Sequence, residues 1–318
     1  MATGFSPKYC RKCLYTSLSP DDMVRFAGIA YPGYDIYVSS GFPRGIPIPS
    51  QDAANRIVLD MIEDGYYVDF VELLIQIDSV GHMGRIYPLR DLDYVVDDVL
   101  QAGYSFDKTT GQFFEDQSRQ ITNNWGRLLE NDERQMAVLR LDIAGNTILV
   151  KENPKELIDK AYGDIRNIVT EAVVSRLGRL WSWEGDGALG VFMLSDYSRI
   201  AIFAGMDIIN RMYLFNKMDN PLNSNVNLRL AIHSGSVIYS ENELKYSKAD
   251  VIKIAKTLEA KAAIPNSLVI SDGVARSQDQ SVLNIFSDTK VVPNTMEKYR
   301  IYQVSCLDNS EAKVKKTK

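Results

Sequence analysis

The sequence predicts an α/β (α+β) protein, one sheet carrying helices behind a mostly helical N-terminal segment. Three observations predict it. From residue 136, strand-length apolar runs alternate with helix-length amphipathic ones, in the order β-α-β-β-α-β-β-α-β and a last strand. Before residue 135 the apolar residues recur mostly at helical spacing. The chain has 318 residues, 45% hydrophobic and 24% charged, which is ordinary for a globular protein and long enough for about two domains.

The Tyr-, Gly- and Pro-rich stretch over 21–49 reads as irregular or short-stranded. "SQDAANRIVLDMIEDG" reads as a helix starting at Ser50 and stopping at Gly65, with Ile57, Val58, Met61 and Ile62 on one face. "YYVDFVELLIQID" and "LRDLDYVVDDVLQAG" predict two more helices, and "DKTTGQ" a turn. The polar stretch over 113–134 predicts an amphipathic helix coupling an N-terminal module, 1–134, to the segment that follows. "MAVLRLDIAG" reads as a buried strand. A long helix follows, capped by Asn153 with Pro154 at its first position. Two short strands flank Gly185 and Gly187, and a helix spans 196–216. "VNLRLAIHSGSVIYS" reads as strand with a tight turn, "KADVIKIAKTLEAKA" as a helix, and "SLVIS" and "KYRIYQVS" as later strands. The second domain is thus expected over 135–306, with 307–318 a flexible basic tail.

The net charge of −5 offers no basic footprint for nucleic acid. No apolar run reaches the ~18 residues of a membrane span. The N-terminus lacks a signal-peptide core, so a cytoplasmic protein is expected. Cys10 and Cys13 form a C-x-x-C without a second pair or a suitably spaced His, and read as two unremarkable thiols.

Two carboxylates carry the chemistry. Asp142 ends an apolar strand and enters a turn through Gly145, Asn146 and Thr147. A carboxylate leaving a strand there can bind Mg²⁺, while turn N–H groups meet phosphate oxygens. Asp186 sits between two glycines at a hairpin tip. If the hairpin pairs beside the first strand, the two aspartates make a seat for two cations.

In order, "LDIAGNT", "EGDGA", "RLAIHSGSV" and "AKTLEAKA" resemble the motifs of class III nucleotidyl (adenylate/guanylate) cyclase catalytic domains, over about 136–305. The resemblance implies a ferredoxin-like βαββαβ core and conversion of a nucleoside triphosphate to a 3′,5′-cyclic nucleotide and pyrophosphate. It implies two Mg²⁺ or Mn²⁺ ions per site, held by Asp142, Asp186 and the carbonyl of Ile143. Phosphate would lie on the N–H groups of Ala144, Gly145, Asn146 and Thr147, in a site shared across a homodimer. A downstream cyclic-nucleotide effector is not identifiable.

The family's ribose-orienting Asn and transition-state Arg align with Lys253 and Thr257, so Lys253 or Lys256 would have to supply positive charge. The base-reading positions hold Ser182 and Tyr246, which match neither purine pattern. Adenylate cyclase is the family default; the bulk of Tyr246 suits a pyrimidine, as in cyclases of bacterial anti-phage signalling. A non-catalytic nucleotide-binding regulatory module is the alternative. His233 and Arg229 read as structural, and Trp181 and Trp183 as sharing one strand face.

Overall fold

A computed structural model describes residues 4–304 apart from 109, 117, 119, 120 and 294. The basic tail 307–318 lies outside the described residues. The chain separates into two compact units, Met1–Leu129 and Glu130–Lys318.

The first unit contains α1 (Pro7–Ser17), α2 (Pro20–Ala30), α3 (Ile36–Ser40), α4 (Ser50–Glu63), α5 (Tyr67–Ser79) and α6 (Leu92–Gln101), then the hairpin β1 (Tyr104–Asp107) and β2 (Gln112–Glu115). The expected helices α4, α5 and α6 are present. The stretch over 21–49 is more helical than its Tyr, Gly and Pro content suggests. Its signal is an ordinary helix start: the Ser19 side chain accepts from the Asp22 N–H, Pro20 opens the helix, and Asp21 and Asp22 occupy the first turn.

Among the described residues, the coupling helix expected over 113–134 is not formed. Gln112–Glu115 instead pairs antiparallel with Tyr104–Asp107 across the "DKTTGQ" turn. Phe113 is fully buried, and its N–H donates to Glu72 at 2.6 Å. Residues 123–127 form turns rather than helix. Non-local pairing and burial override the local helical pattern here. Arg127 is held by Asp69 and, at 2.8 Å, by Glu72.

Cys10 and Cys13 are free and buried on α1. Burial pushes both thiols up, Cys13 to about 12, the opposite of what a reactive or metal-binding pair needs.

The second unit runs β3 (Glu133–Ala144), α7 (Asn146–Glu152), α8 (Lys155–Val174), β4 (Arg179–Glu184), β5 (Gly187–Phe192), α9 (Tyr197–Met218), β6 (Asn227–Ile238), α10 (Glu243–Tyr246), α11 (Asp250–Ala262), β7 (Ser267–Ser271), α12 (Asp272–Arg276), α13 (Gln280–Leu283), β8 (Lys290–Val291) and β9 (Lys298–Gln303). The sheet order is β4-β5-β3-β6-β7-β9-β8, with β6 and β7 parallel and the other neighbours antiparallel.

Alternation divides the sheet into two faces. On one, Leu139, Leu141, Ile143, Leu230, Ile232 and Leu268 pack with Ile165 and Val169 of α8 and Ala201 and Ile208 of α9. On the other, Ala231 and Val269 pack with Leu258 and Ala262 of α11. Arg140, Asp142, Arg229 and His233 share the parity of this second face.

Two local expectations change. The "HSGS" stretch is not a turn: β6 continues unbroken through it to Ile238. Gly235 is there for close approach, since a Cβ on it would lie 2.8 Å from a Val251 methyl of α11. Asn153 does not cap α8. It ends α7, its side chain donating back to the Leu149 carbonyl at 2.9 Å.

Candidate active site

The site grows from the β3–β5 ladder. Asp142 pairs with Gly187, and the Ile143 N–H donates to the Asp186 carbonyl at 3.2 Å. Asp142, near the end of β3, and Asp186, in the β4–β5 turn, therefore sit at the same end of the sheet. Gly185 at the tip has φ +55°, a conformation that glycine adopts without strain. Gly187 leaves room for Arg140, since a Cβ there would lie 2.6 Å from its guanidinium. Gly145 is left-handed and opens α7, whose carbonyl acceptor begins with Ile148 N–H to Gly145 O at 2.9 Å. Asn146 and Thr147 occupy that first turn, where helix geometry leaves backbone N–H groups without intrahelical partners.

Among the described residues, each carboxylate meets a polar side chain through one oxygen. Asp142 Oδ2 accepts from Arg229. Asp186 Oδ2 accepts from Asn146 Nδ2 at 2.6 Å, and Asn146 Oδ1 accepts from the Tyr162 hydroxyl on α8. Burial, then the nearby negative charge of Asp186, pushes the Tyr162 phenol up, which keeps it a donor. Arg229 also approaches Glu259 of α11: Nε lies 2.9 Å from Oε1, at ion-pair distance but off the line of a hydrogen bond. Glu259 is buried, and that burial pushes its carboxyl up despite the opposing pull of Arg229. Arg229, expected to be structural, thus lies between Asp142 and Glu259. His233 behaves as expected: Nδ1 lies 2.8 Å from Ser271 Oγ, and burial pushes its pKa down.

Two hard carboxylates and a backbone carbonyl suit Mg²⁺ or Mn²⁺. Among the described residues no group of three or more His, Cys, Asp or Glu could hold a metal. A two-carboxylate set is still adequate for Mg²⁺, which takes one or two carboxylates plus water and substrate phosphates.

Ser182 and Tyr246, the expected base readers, come close together. The Tyr246 hydroxyl donates to the Trp181 carbonyl at 3.2 Å, one residue before Ser182. Tyr246 is buried, its ring 4.9 Å from that of Trp181, which also meets Tyr239. The segment carrying Tyr246 and α10 is tethered by Glu130, which accepts from Lys245 and Ser240 at 2.8 Å and from the Glu241 N–H at 2.9 Å. Those hydrogen bonds, led by the one from Lys245, hold its carboxyl down at about 2.

The two tryptophans do not share a face. The register slips between Leu180 and Ser182, so Trp181 is the extra residue of a bulge and the alternation resets. Trp183 packs on the α8–α9 side, under Arg166 at 4.9 Å, whereas Trp181 joins Tyr239 and Tyr246.

On α11, Lys253 is exposed and paired with Asp250 at 3.0 Å. Thr257 donates to its own helix at the Lys253 carbonyl, at 2.8 Å, and Lys256 is exposed. Sequence reasoning missed Arg140, Glu259 and Tyr162 as site residues. Arg140 was findable, since it lies two before Asp142 on the same strand. Glu259 stands inside the quoted "TLEA" stretch. Tyr162 carries no local signal.

No protein-family model matches the chain, and no curated protein does. The solved structures it is similar to include adenylate and guanylate cyclases. The adenylyl cyclase CyaB from P. aeruginosa is 17% identical, with 56% of this chain and 97% of that one covered and a TM-score of 0.47. An adenylate/guanylate cyclase/hydrolase from Silicibacter pomeroyi is 22% identical over 55% of this chain and 99% of that one, at 0.45. The guanylate cyclase domain of RhGC from Catenaria anguillulae, in complex with GTP, is 17% identical over 55% and 100%, at 0.44. Among the described residues, no helix is long and apolar enough to cross a membrane.

Proposed function

We propose that the second unit is a nucleotidyl cyclase domain that converts a nucleoside triphosphate to a 3′,5′-cyclic nucleotide and pyrophosphate. The observation that supports this best is the ladder register that pairs Asp142 with Gly187, next to Asp186. Asp142, Asp186 and the Ile143 carbonyl would hold divalent cations. Once bound, the cations would supply Lewis-acid activation of the ribose 3′-hydroxyl and stabilise charge on the α-phosphate.

The chain's own residues do the rest. Backbone N–H groups around Ala144–Thr147 bind the β- and γ-phosphates. Arg140, beside the Gly187 backbone, adds positive charge to the same end of the sheet. Ser182 and Tyr246 line the base side, where the Trp181–Tyr239–Tyr246 cluster favours a small base, hence a pyrimidine nucleotide over a purine. A head-to-tail homodimer would complete the site with α11 of a second copy.

The test is incubation of the full chain with Mn²⁺ and each of the four nucleoside triphosphates. A cyclic product from at least one, lost in Asp142→Ala, is expected. No product from any, or an unchanged rate in Asp142→Ala, overturns the reading.

A second reading is a nucleotide-binding regulatory module without turnover. It is favoured by the two α11 positions, since Lys253 is tied to Asp250 and Thr257 to its own helix. Nucleotide binding with no cyclic product selects it.

A further inference from the structure

The two candidate cation ligands are held differently. Asp142 meets a charged partner, Arg229. Asp186 meets a neutral amide, Asn146, which is itself held by a phenol from another helix. The chemistry fixes the direction of this chain. An ionised carboxylate only accepts, and a phenol is the better donor, so the amide must turn its NH₂ to Asp186 and its oxygen to Tyr162. The contact uses only Oδ2 of Asp186, so it orients the carboxylate while Oδ1 stays outside it. Asn146 opens α7 directly after the left-handed Gly145, so its Cα is fixed relative to β3. Tyr162 lies in the middle of the 20-residue helix α8 and packs against the sheet core. The hairpin carrying Asp186 turns through a left-handed glycine, Gly185.

We infer that Asn146 and Tyr162 are positioning residues that orient the Asp186 carboxylate toward a divalent cation, Tyr162 acting through Asn146. This rests on the reading of Asp186 as a cation ligand. It assigns the Asn146 side chain a role separate from its backbone N–H. Outer-shell partners of metal-binding carboxylates commonly govern metal affinity by 10–100-fold. The alternative geometry, in which the amide merely competes with the cation for Oδ2, predicts the opposite sign.

The experiment is a Mn²⁺ titration of the full chain without nucleotide, followed by loss of the free-ion electron paramagnetic resonance signal. Thermal unfolding of each variant serves as the folding control. Asn146→Ala is expected to weaken Mn²⁺ binding by about tenfold or more, and Tyr162→Phe to weaken it less. The double variant should be no worse than Asn146→Ala alone, because Tyr162 acts through Asn146. With nucleotide present, the same variants should raise the Mn²⁺ concentration needed for half-maximal rate more than they lower the rate at saturating Mn²⁺. Unchanged or tighter Mn²⁺ binding in Asn146→Ala overturns the proposal. If Asn146→Ala does not fold, Tyr162→Phe decides, and wild-type affinity there overturns it. Asp186→Ala separates the two levels. If it binds Mn²⁺ like the wild type, the cation-ligand reading fails and the inference with it. If only Asp186→Ala weakens binding, the inference alone fails.

Discussion

The two ends of the candidate site are built to different standards. At the aspartate end, Asp142 on β3 and Asp186 in the adjoining hairpin turn are each held by a named partner, beside a ladder whose buried face fixes its register. At the α11 end, the aligned side chains face solvent or turn back on their own helix. Lys253 spends its charge on Asp250, and Thr257 bonds the Lys253 carbonyl. The difference teaches that the proposed cation seat and the α11 positions proposed to face it are built separately in this fold. One end is held by partners from other elements, and at the other Lys253 and Thr257 are bonded within α11 itself.

The largest expected effect comes from repairing the weaker end. In the double variant Lys253→Asn/Thr257→Arg, an amide and a guanidinium fork would stand one helical turn apart on α11. A single preorganised donor to a transition-state charge is worth about 10²–10³ in rate. If the α11 end limits the proposed reaction, cyclic-nucleotide formation should rise by about that factor with little change in KM. An unchanged rate would show that this chain takes its positive charge from elsewhere, Arg140 being one named source.

The sequence made the aspartate end legible because its information is local. Asp142, Gly145, Gly185, Asp186 and Gly187 each act through a strand end or a turn, and alternation fixes the face of each strand residue. The α8, α9 and α11 helices were legible from apolar spacing for the same reason. What could not be read depended on partners distant in sequence. The β1–β2 hairpin replaced an expected helix because Phe113 is buried and its N–H meets Glu72. The bulge at Trp181 reversed the face of one tryptophan, and nothing in "RLWSWE" marks it. Tyr162 reaches Asn146 from another helix, with no periodicity to announce it. Where local signals were present but overlooked, as with the Ser19–Pro20 helix start, the cause was composition: Tyr, Gly and Pro nearby outweighed a sound cap.

Arg229 joins the two ends, because it touches Asp142 on β3 and approaches Glu259 on α11. Arg229→Ala would leave Glu259 buried beside another carboxylate with its nearest cation gone. Breaking a fully buried pair costs about 3–5 kcal/mol; with Arg229 30% exposed, a loss of roughly 1–3 kcal/mol is expected in urea unfolding. The pH dependence sharpens this. The folded-state pKa of Glu259 is raised, chiefly by burial. Its contribution to stability is therefore full below the ordinary glutamate value of about 4.3 and is lost as pH rises through the higher folded value. The stability of the wild type relative to Glu259→Gln should accordingly be greatest in acid and decline toward neutrality. A difference that is flat from pH 4 to 7 would show that Glu259 titrates normally.

The smallest effect tests whether the base side belongs to the aspartate end or the α11 end. Tyr246 ends α10 just before α11, yet its hydroxyl bonds the Trp181 carbonyl on β4 and its ring packs on Trp181. Tyr246→Phe keeps the ring and removes only that donor, so about 1 kcal/mol of stability should be lost. Because the bond ties α10 to the strand beside Ser182, its loss should loosen the pocket without enlarging it. The KM for the preferred nucleotide should rise a few-fold, with the order of preference among the four nucleotides unchanged. Tyr246→Ala removes the ring as well and should admit purines. If Tyr246→Phe already reorders the preference, then the hydroxyl reads the base directly, and its contact with Trp181 must break when nucleotide binds. If neither variant alters the preference, the aromatic cluster is packing alone, and the base is selected elsewhere on the sheet.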